Sequence, residues 1–219
     1  MVHPSTLTFL TQLKKNNDKV WFDAHRKEYE EAKKDFESFV AQLLKALTQL
    51  EPAFGGQQAK DCIFRIFRDV RFSKDKAPYK SHFGAFFARG GRKWAGAGYY
   101  LHLEPGSMFA GGGLWMPEPA VLKKVRQEID YDFERFKNII NNKAFKKFFP
   151  KLEGEQLSRP PQGYEPDNPA IEFLKMKSFT AGHALKDESI TSKTAVKNVV
   201  EVFTALNPLI NFLNRAVED

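Results

Sequence analysis

The 219-residue chain is long enough to bury a core; it carries 42% hydrophobic residues, 21 of its residues are Phe, and its formal net charge is +7. Its one Cys excludes an internal disulfide and any multi-cysteine metal site. Residues 1–5 lack a basic-then-apolar signal pattern and no apolar run reaches the roughly 20 residues of a membrane helix, so a soluble, cytoplasmic protein without a membrane partner is expected.

Leu7, Leu10 and Leu13 predict a first helix over 5–13, with Ser5 or Thr6 as its cap and Asn16-Asn17 as its stop. Asp18 or Asp23 opens a long helix with an inner face of Tyr29, Ala32, Phe36, Phe39, Val40, Leu43, Leu47 and Leu50. Trp21-Phe22 stands at its entrance as an anchor against a sheet, and Pro52 with Gly55-Gly56 ends it. Residues 62–67, rich in Ile and Phe, read as a strand, and 69–79 as a polar loop. Strands are expected over 82–88 and 97–103, joined by a hairpin through Gly90-Gly91-Arg92-Lys93. A turn centred on Arg92 sets 82 opposite 102, 84 opposite 100 and 86 opposite 98. His82, Tyr100 and His102 then share one face, while Phe83, Ala85, Phe87, Tyr99, Leu101 and Leu103 form the core face.

Pro105-Gly106 turns the chain into a strand over 108–115, where Gly111-Gly112-Gly113 marks a bulge or a close approach of ligand to backbone. Helices follow from Pro117 and Pro119 to about Ile129, over 132–140 and over 143–149. Residues 152–167 are linker-like, and Asp167 caps a short helix reaching about Leu174. Residues 177–185 form one more strand, with Phe179 and His183 on one face. The last helix starts near Ser192 and is bent or divided at Pro208. Strands cluster centrally and helices at both ends. The expected fold class is therefore α+β: a mainly antiparallel central sheet of hairpin-connected strands flanked by N- and C-terminal helices, in a single domain over 1–219.

Charge is concentrated on the same central stretch. Between Lys60 and Trp94 ten cations face three acids, so this segment alone carries the chain's whole excess of +7. Arg65, Arg68, Arg71, Lys74, Lys76 and Lys80 are the candidate anion-binding residues, because a guanidinium fork matches phosphate or carboxylate oxygens in pairs. Tyr79, Tyr99, Tyr100 and Gly112 are candidate pocket-shaping residues. The alternative is a network of Arg–Asp pairs that pins the loop and leaves the Lys side chains solvated. His82 and His102, opposite each other with Glu104 on the same face, are acid–base candidates. The pair could also bind a metal, but two His without a fixed third ligand are a weak metal signal, and no metal ligand is assigned. No hydrolase, zincin or Cys-x-x-Cys motif is present.

The run Arg68-Asp69-Val70-Arg71-Phe72-Ser73-Lys74-Asp75-Lys76-Ala77-Pro78-Tyr79-Lys80 resembles the signature of the domain-of-unknown-function 2461 family. The resemblance extends through Asn16-Asn17, Trp21-Phe22, Tyr29-Glu30, Gly98-Tyr99-Tyr100, Gly111-Gly112-Gly113 and Pro161-Gln162-Gly163-Tyr164 to Pro169. It departs at Ala77, where the family pattern has Thr, and at Asn168, where it has His. The resemblance implies one compact α+β domain and transfers no activity or cofactor. Three functions stay open on the residues: binding of a phosphorylated small molecule or nucleotide, with or without catalysis; a nucleic-acid-binding module using the cations as a stripe; or an interaction domain without a small ligand.

Overall fold

The computed structural model describes residues 1–218, which contain ten α-helices and four strands. Helix α1 (Pro4–Lys15) begins with a Pro in its first turn, where a missing N–H costs nothing. His3, not Ser5 or Thr6, is its cap, its ring accepting from the Ser5 N–H. Thr6 is buried instead and donates to Asp35 at 2.7 Å. Asp18 caps α2 (Lys19–Ala24), accepting from the Trp21 N–H at 2.9 Å. The expected long helix is thus two, because the chain breaks at His25 before α3 (Arg26–Leu50). The inner face of α3 is buried as its spacing predicts, except for the half-buried Leu50.

Residues 62–67 do not form a strand. Cys62 instead ends a short helix, α4 (Ala59–Cys62), and the extended chain after it makes only isolated bridges, Ile63 to Ala85 and Phe67 to Tyr79. The segment divides its backbone between two partners: Phe64 N–H reaches Gly84, while Arg68 N–H and the Ile66 carbonyl reach Pro78 and Lys80. A β-propensity run split in this way builds no continuous ladder.

The strands β1 (Phe83–Phe87), β2 (Gly98–Leu103), β3 (Phe109–Leu114) and β4 (Phe179–Ala184) form one antiparallel sheet in the order 1-2-3-4, with N- and C-terminal helices flanking it. The α+β architecture expected from the clustering of elements is therefore the observed one. Between β3 and β4 lie α5 (Pro119–Tyr131), α6 (Phe133–Asn141), α7 (Lys143–Phe148) and α8 (Ile171–Leu174). Asn168, not Asp167, serves the start of α8, its side chain accepting from the Ala170 N–H at 2.8 Å. After β4, α9 (Asp187–Thr191) and α10 (Ala195–Glu218) complete the described chain. Pro208 lies inside α10 without dividing it; the ring is on the exposed side, and the buried residues on either side hold the helix in place.

The packing resolves into two compact units. Unit 1 comprises Met1–Phe87, Tyr100–Ala110 and Ala184–Glu201. Its core is the apolar face of α3, with Phe36 stacked on Phe83 at 5.2 Å and Phe22 stacked on Tyr79 at 3.9 Å. Unit 2 comprises Ala88–Tyr99, Gly111–His183 and the chain from Val202 onward. There Phe136 packs against Phe173, Phe179 and Phe212, and Tyr99 against Phe203. No helix among the described residues is long and apolar enough to cross a membrane.

Candidate functional site

The expected hairpin register brings the polar face of unit 1 together. The His82 and His102 rings lie 4.2 Å apart, and Gly84 faces Tyr100 so closely that a Cβ there would meet Tyr100 Oη at 2.7 Å. Glycine at 84 is what admits the Tyr100 ring. Tyr100 Oη lies 3.1 Å from His102 Nδ1, and His102 Nε2 lies 3.2 Å from Glu104 Oε2. These three residues alternate along β2 and its extension, so a hydroxyl, an imidazole and a carboxylate follow one another on one face. Glu104 Oε1 accepts from Lys14 Nζ at 2.9 Å and from the Ser81 hydroxyl at 3.1 Å. Phe109 of β3 lies nearly parallel to the His102 ring at 5.0 Å, which fixes its plane.

The side chains of His102 and Glu104 are only 13% and 16% exposed, and the electrostatics follow from that. Burial pushes His82 down to about 4; His102 and Lys80 push the same way, against Glu104. His82 is therefore neutral at pH 7, too weak a base to shuttle protons there but able to donate and accept hydrogen bonds. Burial alone would raise Glu104, but the hydrogen bonds from Lys14, His102 and Ser81 outweigh it and hold the carboxyl at about 2. Burial raises Tyr100, and burial together with Arg65 lowers Lys80.

Beside this face, within unit 1, is a recess of about 330 Å³ lined by Lys14, Asn17, Arg68, Asp75, Ala77, Tyr79, Lys80, Ser81 and His82. Asn17 holds its rim by a reciprocal pair of bonds to the Tyr79 backbone, 2.9 and 3.1 Å long. A larger recess of about 470 Å³ lies in unit 2 between residues of α6, α7 and α10, but no His, Asp or Glu lines it. Size therefore does not pick out the chemistry.

The six candidate anion-binding residues do not converge. Arg68 and Lys80 line the recess, but Arg68 is already held by Asp75 at 2.5 Å and by the Ala77 carbonyl at 3.0 Å. Arg71 grips Asp69 with two nitrogens, at 2.9 and 2.7 Å, while remaining 76% exposed. Lys76 bonds the Val70 carbonyl, Arg65 and Lys74 are exposed, and none of these three lines the recess. Carboxylates two and seven residues away absorb the two guanidiniums, so the dense charge is mostly a loop clamp. Tyr79 lines the recess and Tyr100 belongs to the histidine face. Tyr99 is buried in unit 2. Gly112 also lies outside the site: its Cα faces the Gly98 carbonyl, which a Cβ would approach to 2.1 Å, so this close approach is between strands. The contribution of Lys14 has no sequence signal, since it reaches Glu104 across 90 positions.

A family model described as conserved hypothetical protein (DUF2461) matches residues 5–212. The chain belongs to the DUF2461 family. The matched range includes the basic run, whose geometry in this chain is a clamped loop. Neither a curated protein nor a solved structure matches this DUF2461 chain.

Proposed function

We propose that this protein binds a small phosphate-bearing molecule in the unit 1 recess. One observation carries the reading: Lys14 from α1, Arg68 from the loop clamp and Lys80 from its far end reach the same recess, where Ser81 and the neutral His82 add uncharged hydrogen-bonding groups. Only Asp75 lines it with opposite charge, and Arg68 already holds Asp75. A concave site with a few converging polar groups suits a small ligand better than a polymer backbone. The recess is small enough that a phosphorylated sugar or nucleotide would occupy much of it. The buried lone Cys62 accords with a reducing, cytoplasmic setting.

A thermal-shift series with inorganic phosphate, sugar phosphates and nucleotides tests the reading. At least one of them should raise the midpoint at saturation, and Lys80→Ala should reduce that shift. No shift with any of them, or a shift unchanged in Lys80→Ala and Lys14→Ala together, overturns it. A second reading has its own observation: Phe72, 96% exposed, sits at the loop tip under the Arg71 guanidinium at 5.9 Å. An exposed aromatic among cations can stack a base. Single-stranded DNA binding that weakens steeply with salt and disappears in Phe72→Ala would favour that nucleic-acid reading.

A further inference from the structure

We infer that His82, His102 and Glu104 form a binding site for a divalent transition-metal ion such as Zn²⁺, with at least one coordination position left open. This goes beyond the anion reading, because it concerns the histidine face rather than the cations of the recess.

Two imidazoles and one carboxylate are the donor set of open, catalytic zinc sites and of other first-row divalent ions. One ligand atom from each of the three residues lies within 4.8 Å of the other two. A tetrahedral ion with bonds of about 2.0–2.1 Å needs its ligands roughly 3.3 Å apart, so modest side-chain rotation closes the set. The 3.2 Å contact between His102 Nε2 and Glu104 Oε2 marks where the ion would enter. Its surroundings are those of a ligand shell. Tyr100 Oη holds His102 Nδ1 and so leaves Nε2 as the donor, and a hydroxyl can serve there as acceptor once Nδ1 carries the proton. Ser81 holds the second Glu104 oxygen, and the Phe109 ring fixes the imidazole plane. His102 lies within β2 and His82 immediately precedes β1, so the strand pairing that begins at the next residue sets the spacing of the two rings. Two cations oppose the ion: the Lys14 ammonium, 2.9 Å from Glu104, is 58% exposed and can swing away, and the Lys80 charge acts on His82.

The test uses the full chain, stripped with a chelator and titrated with Zn²⁺ alone by calorimetry and with Co²⁺ by visible absorption. Phosphate is left out, so failure here does not bear on the anion reading, and failure of that reading does not bear on this one. Saturation at one equivalent is expected. His102→Ala and Glu104→Gln should each weaken binding at least tenfold, and His25→Ala and His183→Ala should leave it unchanged. Lys14→Ala removes an exposed side chain that competes for Glu104, so it should keep the fold and tighten Zn²⁺ binding severalfold. That gain keeps the inference testable even if a ligand variant fails to fold. Absence of saturable binding at one equivalent, or binding indifferent to both Glu104→Gln and Lys14→Ala, overturns it.

Discussion

Replacing Glu104 by Gln keeps the shape of the side chain and removes its charge, so it isolates what that charge does for the metal-free protein. The carboxyl sits at about 2 against an ordinary 4.5, although it is only 16% exposed. At 1.36 kcal/mol per pKa unit that displacement corresponds to about 3 kcal/mol of native-state stabilisation at neutral pH. Gln retains some hydrogen bonding to Lys14 and Ser81, so the variant should lose about 1–3 kcal/mol. The sign follows from proton counting. Between the unfolded value near 4.5 and the folded value of about 2, the unfolded chain holds more protons, so acid removes this stability there. His82 acts in the window above. Its folded value of about 4 lies below the ordinary 6.5, so its share is lost as pH falls from 6.5 towards 4. Lys14, Ser81, His102 and Lys80 are the groups facing this pair. Urea unfolding followed by Trp fluorescence at several pH values from 7 to 2.5 would give the difference curve. Wild type and Glu104→Gln should differ most at pH 7 and converge below 4.5. A variant within about 0.5 kcal/mol of wild type at pH 7, the ordinary range for surface changes, would refute the reasoning, as would a difference that stays constant through the acid window.

Three further substitutions probe other levels of the structure. Asn214 is buried in unit 2, where it accepts from the Ala97 N–H at 2.8 Å and donates to the Ala97 carbonyl at 3.2 Å. Asn214→Leu strands both backbone groups and should cost about 2–4 kcal/mol in equilibrium unfolding; a cost under about 0.5 kcal/mol would mean the bonds contribute little. In the basic loop, Arg68→Ala and Arg71→Ala should differ in kind. Removing the exposed Arg71–Asp69 pair should leave stability essentially unchanged, whereas removing Arg68, which ties Asp75 and the Ala77 carbonyl together, should open residues 69–77 to proteolysis. Equal nicking rates in the two variants would contradict the clamp.

The sequence made the sheet legible because alternation leaves little freedom: a one-residue slip at the hairpin would have put Phe83, Ala85 and Phe87 in water and the His pair in the core. The same alternation puts His82, Tyr100 and His102 on one face. Residues 62–67 show the limit of the method, since Ile and Phe content reports burial and the partner's geometry decides whether a ladder forms. The break at His25 escaped because the apolar stripe of α3 runs unbroken from Tyr29 and says nothing about where the helix starts. Lys14 and Asn17 belong to the recess through contacts 90 and 62 positions away, and no local pattern encodes those.

The basic run is the strongest charge signal in the chain and suggests a ligand's counter-charge, yet most of it is engaged with its own loop. The distinction is one of distance. Asp69 and Asp75 reach their arginines within a few residues and need no ligand to justify the cluster. Once Arg68 joins Asp75 to the Ala77 carbonyl and Lys76 bonds Val70, the chain through Pro78 is pinned to the segment at 66–68 by two backbone bonds, and Asn17 fixes Tyr79 from the other side. What emerges in a set position is Lys80-Ser81-His82, three of the residues that line the recess, with Ser81 bonded to Glu104 and His82 against His102. The clamp thus works on the site by delivering its neighbours. Weakening Arg68 should therefore loosen both candidate sites at once, while neutralising Lys80 should weaken anion binding and, by removing a positive charge that acts on His82, favour the metal ion.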